Sequence, residues 1–119
     1  MKCIFSSLNN DDTENRIEKL CAKAQTPYGN VAAVCIYPKF LPLAKKYGAA
    51  ILCLPITEDG VPKTSEARLD AIRTIIKAAK TQGLRDGDFL LDALVMTVSA
   101  DANACREVLH TLELYRTML

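Results

Sequence analysis

An α/β fold built from four strand–helix units with parallel strands is what this chain predicts, and two observations carry that expectation. The first is a pair of apolar runs, Gly48-Ala49-Ala50-Ile51-Leu52-Cys53-Leu54-Pro55 and Val31-Ala32-Ala33-Val34-Cys35-Ile36-Tyr37-Pro38. Each has alanines early, a cysteine within and a closing proline. Runs of this length with no polar alternation read as parallel strands covered on both faces. The second is the alternation of such runs with segments of helical spacing, which implies right-handed crossovers. Functional groups then gather at the C-terminal ends of the strands.

Taken in order, residues 2–7 form a first strand, followed by the polar exit Ser6-Ser7-Leu8-Asn9-Asn10. Asp11, Asp12 and Thr13 are N-cap candidates for a helix whose apolar positions Ile17, Leu20, Cys21 and Ala24 fall at i, i+3, i+4 and i+7. Thr26-Pro27-Tyr28-Gly29-Asn30 is dense in breakers and leads into the second strand. Pro38 ends that strand, and Pro42 fits only the first turn of a short helix within residues 40–47. Gly48 suits the left-handed position after that helix, ahead of the third strand.

Residues 57–62 read as a turn. From about Ser65 a long helix shows Leu69, Ile72, Ile76 and Ala79 on one face, with Arg68, Arg73, Lys77 and Lys80 elsewhere, and it stops at Gly83. Residues 88–94 form a fourth buried strand whose apolar run, Phe89-Leu90-Leu91-Asp92-Ala93-Leu94, is interrupted by a single carboxylate, Asp92. Asp101 is the expected cap of the last helix, whose stripe is Cys105, Val108, Leu109, Leu112 and Tyr115.

The 119 residues are half hydrophobic, with 15 basic against 14 acidic side chains and a formal charge of +1. One domain, residues 1–119, is the expected organisation. Mixed signs near neutrality give no electrostatic footprint for nucleic acid or an acidic membrane surface. No apolar segment approaches the roughly 20 residues a bilayer span needs, and no signal-peptide pattern opens the chain. A soluble, cytoplasmic protein with reduced cysteines is expected. Cys3, Cys21, Cys35, Cys53 and Cys105 form no CxxC or Cys/His array. Each sits on an expected strand or apolar helix stripe, where a thiol packs as a small hydrophobe, so no metal site is expected.

The strand-end rule selects Ser6, Ser7 and Asn9 after strand one, Cys35 and Tyr37 at strand two, Thr57 after strand three, and Asp92 with Thr97 after strand four. Polar groups on one rim bind a small polar ligand, or they simply cap the helices that follow. Asp92 within an apolar strand costs several kcal/mol unless paired or hydrogen-bonded. A bond to a loop amide and a ligand contact are both open readings for it. His110, between Leu109 and Leu112, reads as a surface or edge residue with no nucleophile nearby in sequence.

Two resemblances run through the chain. Asp11-Asp12-Thr13, followed by the string from Thr26-Pro27-Tyr28-Gly29-Asn30 through Val31-Ala32-Ala33-Val34-Cys35-Ile36-Tyr37-Pro38-Lys39-Phe40, resembles the N-terminal part of deoxyribose-phosphate aldolase, a TIM-barrel class I aldolase. The flanking residues 1–10 and 41–119 resemble the pterin-binding barrel of methyltetrahydrofolate:corrinoid methyltransferases and cobalamin-dependent methionine synthase. The motifs are Ala44-Lys45-Lys46-Tyr47-Gly48-Ala49-Ala50, Thr57-Glu58-Asp59-Gly60-Val61-Pro62-Lys63-Thr64 and Leu91-Asp92-Ala93-Leu94-Val95-Met96-Thr97-Val98-Ser99. The first strand, Cys3-Ile4-Phe5-Ser6-Ser7-Leu8-Asn9, also looks closer to that family.

These resemblances imply half of a TIM (β/α)8 barrel and a designed chimera that exchanges a helix–strand fragment between two barrels, with a divergent natural protein as the other reading. The aldolase's Schiff-base lysine and its partners belong to later strands, which the chain does not contain. Lys39 does not match that lysine, only Cys35 matches a pocket position, and an apolar residue near Ile4 replaces the strand-one aspartate. In the methyltransferases an aspartate hydrogen-bonds the pterin. Asp92 matches it, with Ala93 in place of the motif's proline, and the first-strand asparagine aligns near Ser6. No cobalamin-binding domain is present.

The expectation is therefore a fragment with no independent catalysis, no cofactor and no metal, pairing as a homodimer in which strand four of each copy meets strand one of the other, with a domain-swapped dimer and an open, monomeric flavodoxin-like sheet as the competing arrangements. The alternative is a pterin-binding methyltransferase fragment with residual affinity for a folate or other small polar ligand. Its vestigial site would be Asp92, Ser6 and Asn9.

Overall fold

The computed structural model describes residues 4–9, 11–97, 99 and 102–118. It is an α/β fold. Four strands, β1 (Ile4–Ser7), β4 (Ala33–Ile36), β5 (Ile51–Cys53) and β6 (Phe89–Leu91), form one sheet in the order β1-β4-β5-β6, which is their chain order. The ladders β1·β4 and β4·β5 are parallel, with Ser6 opposite Cys35 and Val34 opposite Ile51. Helices α1 (Glu14–Lys23), α2 (Leu41–Lys46), α3 (Ser65–Thr81) and α4 (Ala104–Met118) each follow one of these strands. The result is four βα units, compatible with a half barrel.

Local chemistry explains the elements. All four residues of β4 are buried, as a strand lying between two neighbours and covered on both faces requires. Thr13 caps α1, its hydroxyl accepting from the Arg16 N–H at 3.4 Å, and Ile17, Cys21 and Ala24 bury the expected stripe. The breaker-rich stretch makes a two-residue hairpin, β2 (Gln25–Thr26) against β3 (Gly29–Asn30), which was not expected. Pro38–Phe40 is a single 3-10 turn, and Pro42 sits in the first turn of α2. Gly48 and Gly83 take φ of 62° and 80° just past α2 and α3, the left-handed region that stops a helix most cheaply at glycine.

Two compact units divide the chain, residues 1–52 with 78–90, and residues 53–77 with 91–119. The first centres on Val34, Ile17, Cys21, Ala44 and Ile51. The second centres on Ile72, Leu69, Pro55, Cys53 and, unusually, Ser65, Arg68 and Thr111.

Four expectations are corrected. Strand β6 ends at Leu91, so Asp92 lies beyond it and is exposed rather than buried in an apolar strand. Helix α4 buries Ala104, Val108, Thr111 and Tyr115, which leaves Cys105, Leu109 and Leu112 facing water. Arg68 is 2% exposed although its charge argued for the solvent side. Cys105 is not a core thiol, whereas Cys21, Cys35 and Cys53 are buried. Cys3 and the expected cap Asp101 lie outside the described residues. No helix among the described residues is long and apolar enough to cross a membrane.

Candidate functional site

In the first unit, the chain leaving β1 turns back on a buried carboxylate. Ser7 Oγ donates to Asp12 Oδ1 at 2.9 Å, the Asn9 N–H donates to Oδ2 at 3.1 Å, and Arg16 Nε stands 3.5 Å from Oδ1. Burial opposes the charge of Asp12. The hydrogen bonds from Ser7 and Asn9, with the Arg16 charge, outweigh it and hold the carboxyl below its ordinary 3.8. Asn9 Nδ2 also donates to Ser7 Oγ at 3.3 Å, and Tyr37 Oη donates to the Leu8 carbonyl at 3.1 Å. Ser7 and Asn9 are therefore occupied in shaping the β1–α1 loop.

In the second unit, α3 begins at a polar junction with α4. Thr64 caps the helix, its hydroxyl accepting from the Ala67 N–H at 3.3 Å. The Ser65 N–H donates to Glu107 Oε2 at 2.7 Å, and Ser65 Oγ lies 2.9 Å from His110 Nδ1 and 3.3 Å from Glu66 Oε2. When Nδ1 carries a proton, the ring donates to Oγ and the hydroxyl donates to Glu66. When Nδ1 is bare, the hydroxyl donates to the ring.

A serine against a histidine beside a carboxylate is the residue set of a hydrolytic triad, but the geometry is different. In a triad the acid holds the ring nitrogen remote from the serine. Here Glu66 Oε1 approaches the same Nδ1, at 4.0 Å. Ser65 is only 1% exposed, and its N–H, which an oxyanion would need, is already bonded to Glu107. The cluster ties two helices together.

One turn along α3, the Arg68 guanidinium grips three carbonyls. Nε donates to Pro62 at 2.8 Å, and Nη1 donates to Ala93 at 3.0 Å and Leu94 at 3.4 Å. The Ala93 and Leu94 carbonyls are presented by a turn in which Asp92 Oδ1 accepts from the Leu94 N–H at 2.8 Å and Leu94 adopts a φ of 62°. The Asp92 N–H donates to the Cys53 carbonyl at 3.1 Å. Asp92 is thus an exposed turn-former that extends the pairing beyond the strand ends. Tyr115 belongs to the same region: its hydroxyl is buried with no hydrogen-bond partner among the described residues, and burial pushes its pKa up to about 12.

Of the residues expected at a site, Ser6 and Asn9 lie in the first unit, both exposed, and Asp92 lies in the second. Thr57 closes its own turn, donating to the Gly60 carbonyl at 3.0 Å, and Thr97 is exposed. Lys39 is exposed, with its ammonium 4.8 Å from the centre of the Phe40 ring. The sequence reading offers Asp12 only as a cap candidate, Arg68 only as a position off the apolar face and His110 only as a surface or edge residue, and it does not pair His110 with Ser65. For Arg68 a signal existed, because it stands four residues before Ile72 and eight before Ile76, on the buried stripe. For Ser65 and His110 none did, since 45 residues separate them. No protein-family model matches the chain.

Proposed function

We propose that this protein is an engineered chimeric (βα)4 fragment with no independent catalytic function, which associates with itself. An aldolase-like segment, residues 11–40, stands between methyltransferase-like segments, residues 1–10 and 41–119. The observation that carries the reading is where the segments meet. The fully buried strand β4, from the aldolase-like string, pairs with β1 and β5, which come from the other. A shared barrel geometry makes such an exchange workable.

Two further observations support parts of this reading. No lysine lies in β1, β4, β5 or β6, so no amine is held in an apolar strand where a Schiff-base nucleophile would have its pKa depressed. The sheet's outer strands, β1 and β6, expose Ile4 at 45% and Leu90 at 43%. Open apolar edges favour pairing with another chain. Buried Cys21, Cys35 and Cys53 suit a reducing, cytoplasmic setting.

Sedimentation equilibrium over a wide concentration range tests the association. A dimer mass is expected, and a monomer mass independent of concentration overturns it. Borohydride in the presence of deoxyribose 5-phosphate tests the absence of aldolase chemistry, a trapped lysine adduct being the contrary result.

A second reading, residual pterin binding, is favoured by the solvent exposure of the Asp92 carboxylate. Calorimetric titration with methyltetrahydrofolate distinguishes the two. The non-catalytic reading expects no saturable heat, whereas saturation abolished by Asp92→Asn establishes the second.

A further inference from the structure

Helix α4 carries apolar side chains on a face it does not bury. Cys105, Leu109 and Leu112 fall at i, i+4 and i+7, all exposed, with Leu109 at 64% and Leu112 at 46%. Three and four residues apart, they lie in one row along the helix. On the flank of that row away from Val108 and Tyr115 stand Arg106 and Glu113, both exposed. Neither makes an ion pair with another described residue. Seven residues is close to two full turns, so the two opposite charges share one side of the helix about 10 Å apart.

We infer that this face of α4 packs against the same face of a second copy, antiparallel, about a twofold axis passing between Leu109 and His110. The inference rests on the self-association reading but assigns a surface separate from the sheet edges. A twofold contact must be self-complementary. Antiparallel pairing centred midway between Arg106 and Glu113 sets Arg106 beside the partner's Glu113, and Glu113 beside the partner's Arg106. It also brings Leu109 against the partner's Leu109 and Leu112 against the partner's Cys105. A parallel twofold pairing would instead set this flank against the partner's Val108 and Tyr115 flank and leave both charges without an opposite partner, so the charge placement selects the antiparallel arrangement. One helix pair covers less than the roughly 800 Å² per partner of a standard interface. Its contribution is therefore a modest one that responds to single charges.

The test is sedimentation equilibrium on the full chain and on charge variants at these two exposed positions, where substitution leaves the core untouched. Arg106→Glu and Glu113→Arg, made singly, are each expected to weaken association roughly tenfold, by turning two attractions into two repulsions. The double variant Arg106→Glu/Glu113→Arg is expected to restore it, a rescue that general destabilisation cannot mimic. Oxidation of Leu109→Cys in a Cys105→Ser background is expected to cross-link copies through position 109. Arg106→Cys in the same background is not, because two such cysteines lie beyond the about 7 Å Cα separation a disulfide tolerates. If the chain associates but the charge variants do not shift it, the α4 contact is overturned while the sheet-edge reading stands. A monomer at every concentration overturns both.

Discussion

Ser65 Oγ lies 2.9 Å from His110 Nδ1, joining the first turn of α3 to the middle of α4 across 45 residues of chain. With the Ser65 N–H bonded to Glu107 at 2.7 Å, the N–H and the hydroxyl of one buried residue both reach partners on the other helix. The pair is a junction rather than a nucleophile and its base. Ser65 is expected to resist a fluorophosphonate probe, with labelled protein in mass spectrometry as the contrary result. Ser65→Ala keeps the backbone bond to Glu107 and loses only the hydroxyl contacts, so it should cost about 1 kcal/mol in urea denaturation.

Arg68 is a buried charge held by backbone carbonyls. Arg68→Met leaves the Pro62, Ala93 and Leu94 carbonyls without their donor, and the Ala93 bond is a fully buried one. A loss of about 3 kcal/mol is expected from unsatisfied buried acceptors. Arg73→Met, on an exposed position of the same helix, should stay within about 0.5 kcal/mol. Equal effects in chemical denaturation would mean that the carbonyl grip is energetically idle.

Asp12 gives the fold an acid-side dependence. Its carboxyl is held below 3.8 despite the opposing effect of burial, so the unfolded chain takes up this proton at a higher pH than the folded one. The stabilisation is therefore complete above the ordinary aspartate range and is lost as pH falls through the lower folded value. Asp12→Asn should remove that part of the acid-side decline, read as a flatter melting temperature between about pH 4 and pH 2. An unchanged profile would show that other carboxylates govern it.

Tyr115 gives the opposite edge. Its hydroxyl is buried without a partner among the described residues, and its pKa is raised from 10.0 to about 12. The folded state binds this proton more tightly than the unfolded state, so its contribution is full below pH 10 and declines as pH rises towards 12. Tyr115→Phe removes an unsatisfied hydroxyl and keeps the ring, so at pH 7 stability should hold or rise by about 1 kcal/mol. Ultraviolet titration should show a tyrosinate that forms only as pH approaches 12, and it should be lost in Tyr115→Phe. A clear loss of stability in Tyr115→Phe would mean that the hydroxyl has a partner.

Much of the architecture was legible in residue order. The apolar strings around Val34 and Ile51 announce strands covered on both faces, and β4 is buried throughout. Thr13 ahead of Ile17 and Cys21 marks the start of α1 and its inner face. These features are local, because capping and periodicity depend on residues within a turn or two of each other. Sites are not local in this sense. The exposure of Asp92 depends on where β6 stops, and the strand stops two residues before the carbonyls that Arg68 takes.

Residue order alone sets the four βα units, the parallel character of the central strands and the helix ends at Gly48 and Gly83, where left-handed backbone favours glycine. Only the tertiary structure decided which of two overlapping stripes α4 would bury. Cys105, Val108, Leu109, Leu112 and Tyr115 span too wide an arc to select one face. The core took Ala104, Val108, Thr111 and Tyr115 because small residues allow close approach and the Thr111 hydroxyl is satisfied within the helix, donating to the Glu107 carbonyl at 2.6 Å. The same packing drew Arg68 inward to carbonyls 25 and 26 residues away, a pairing that no spacing along the chain encodes.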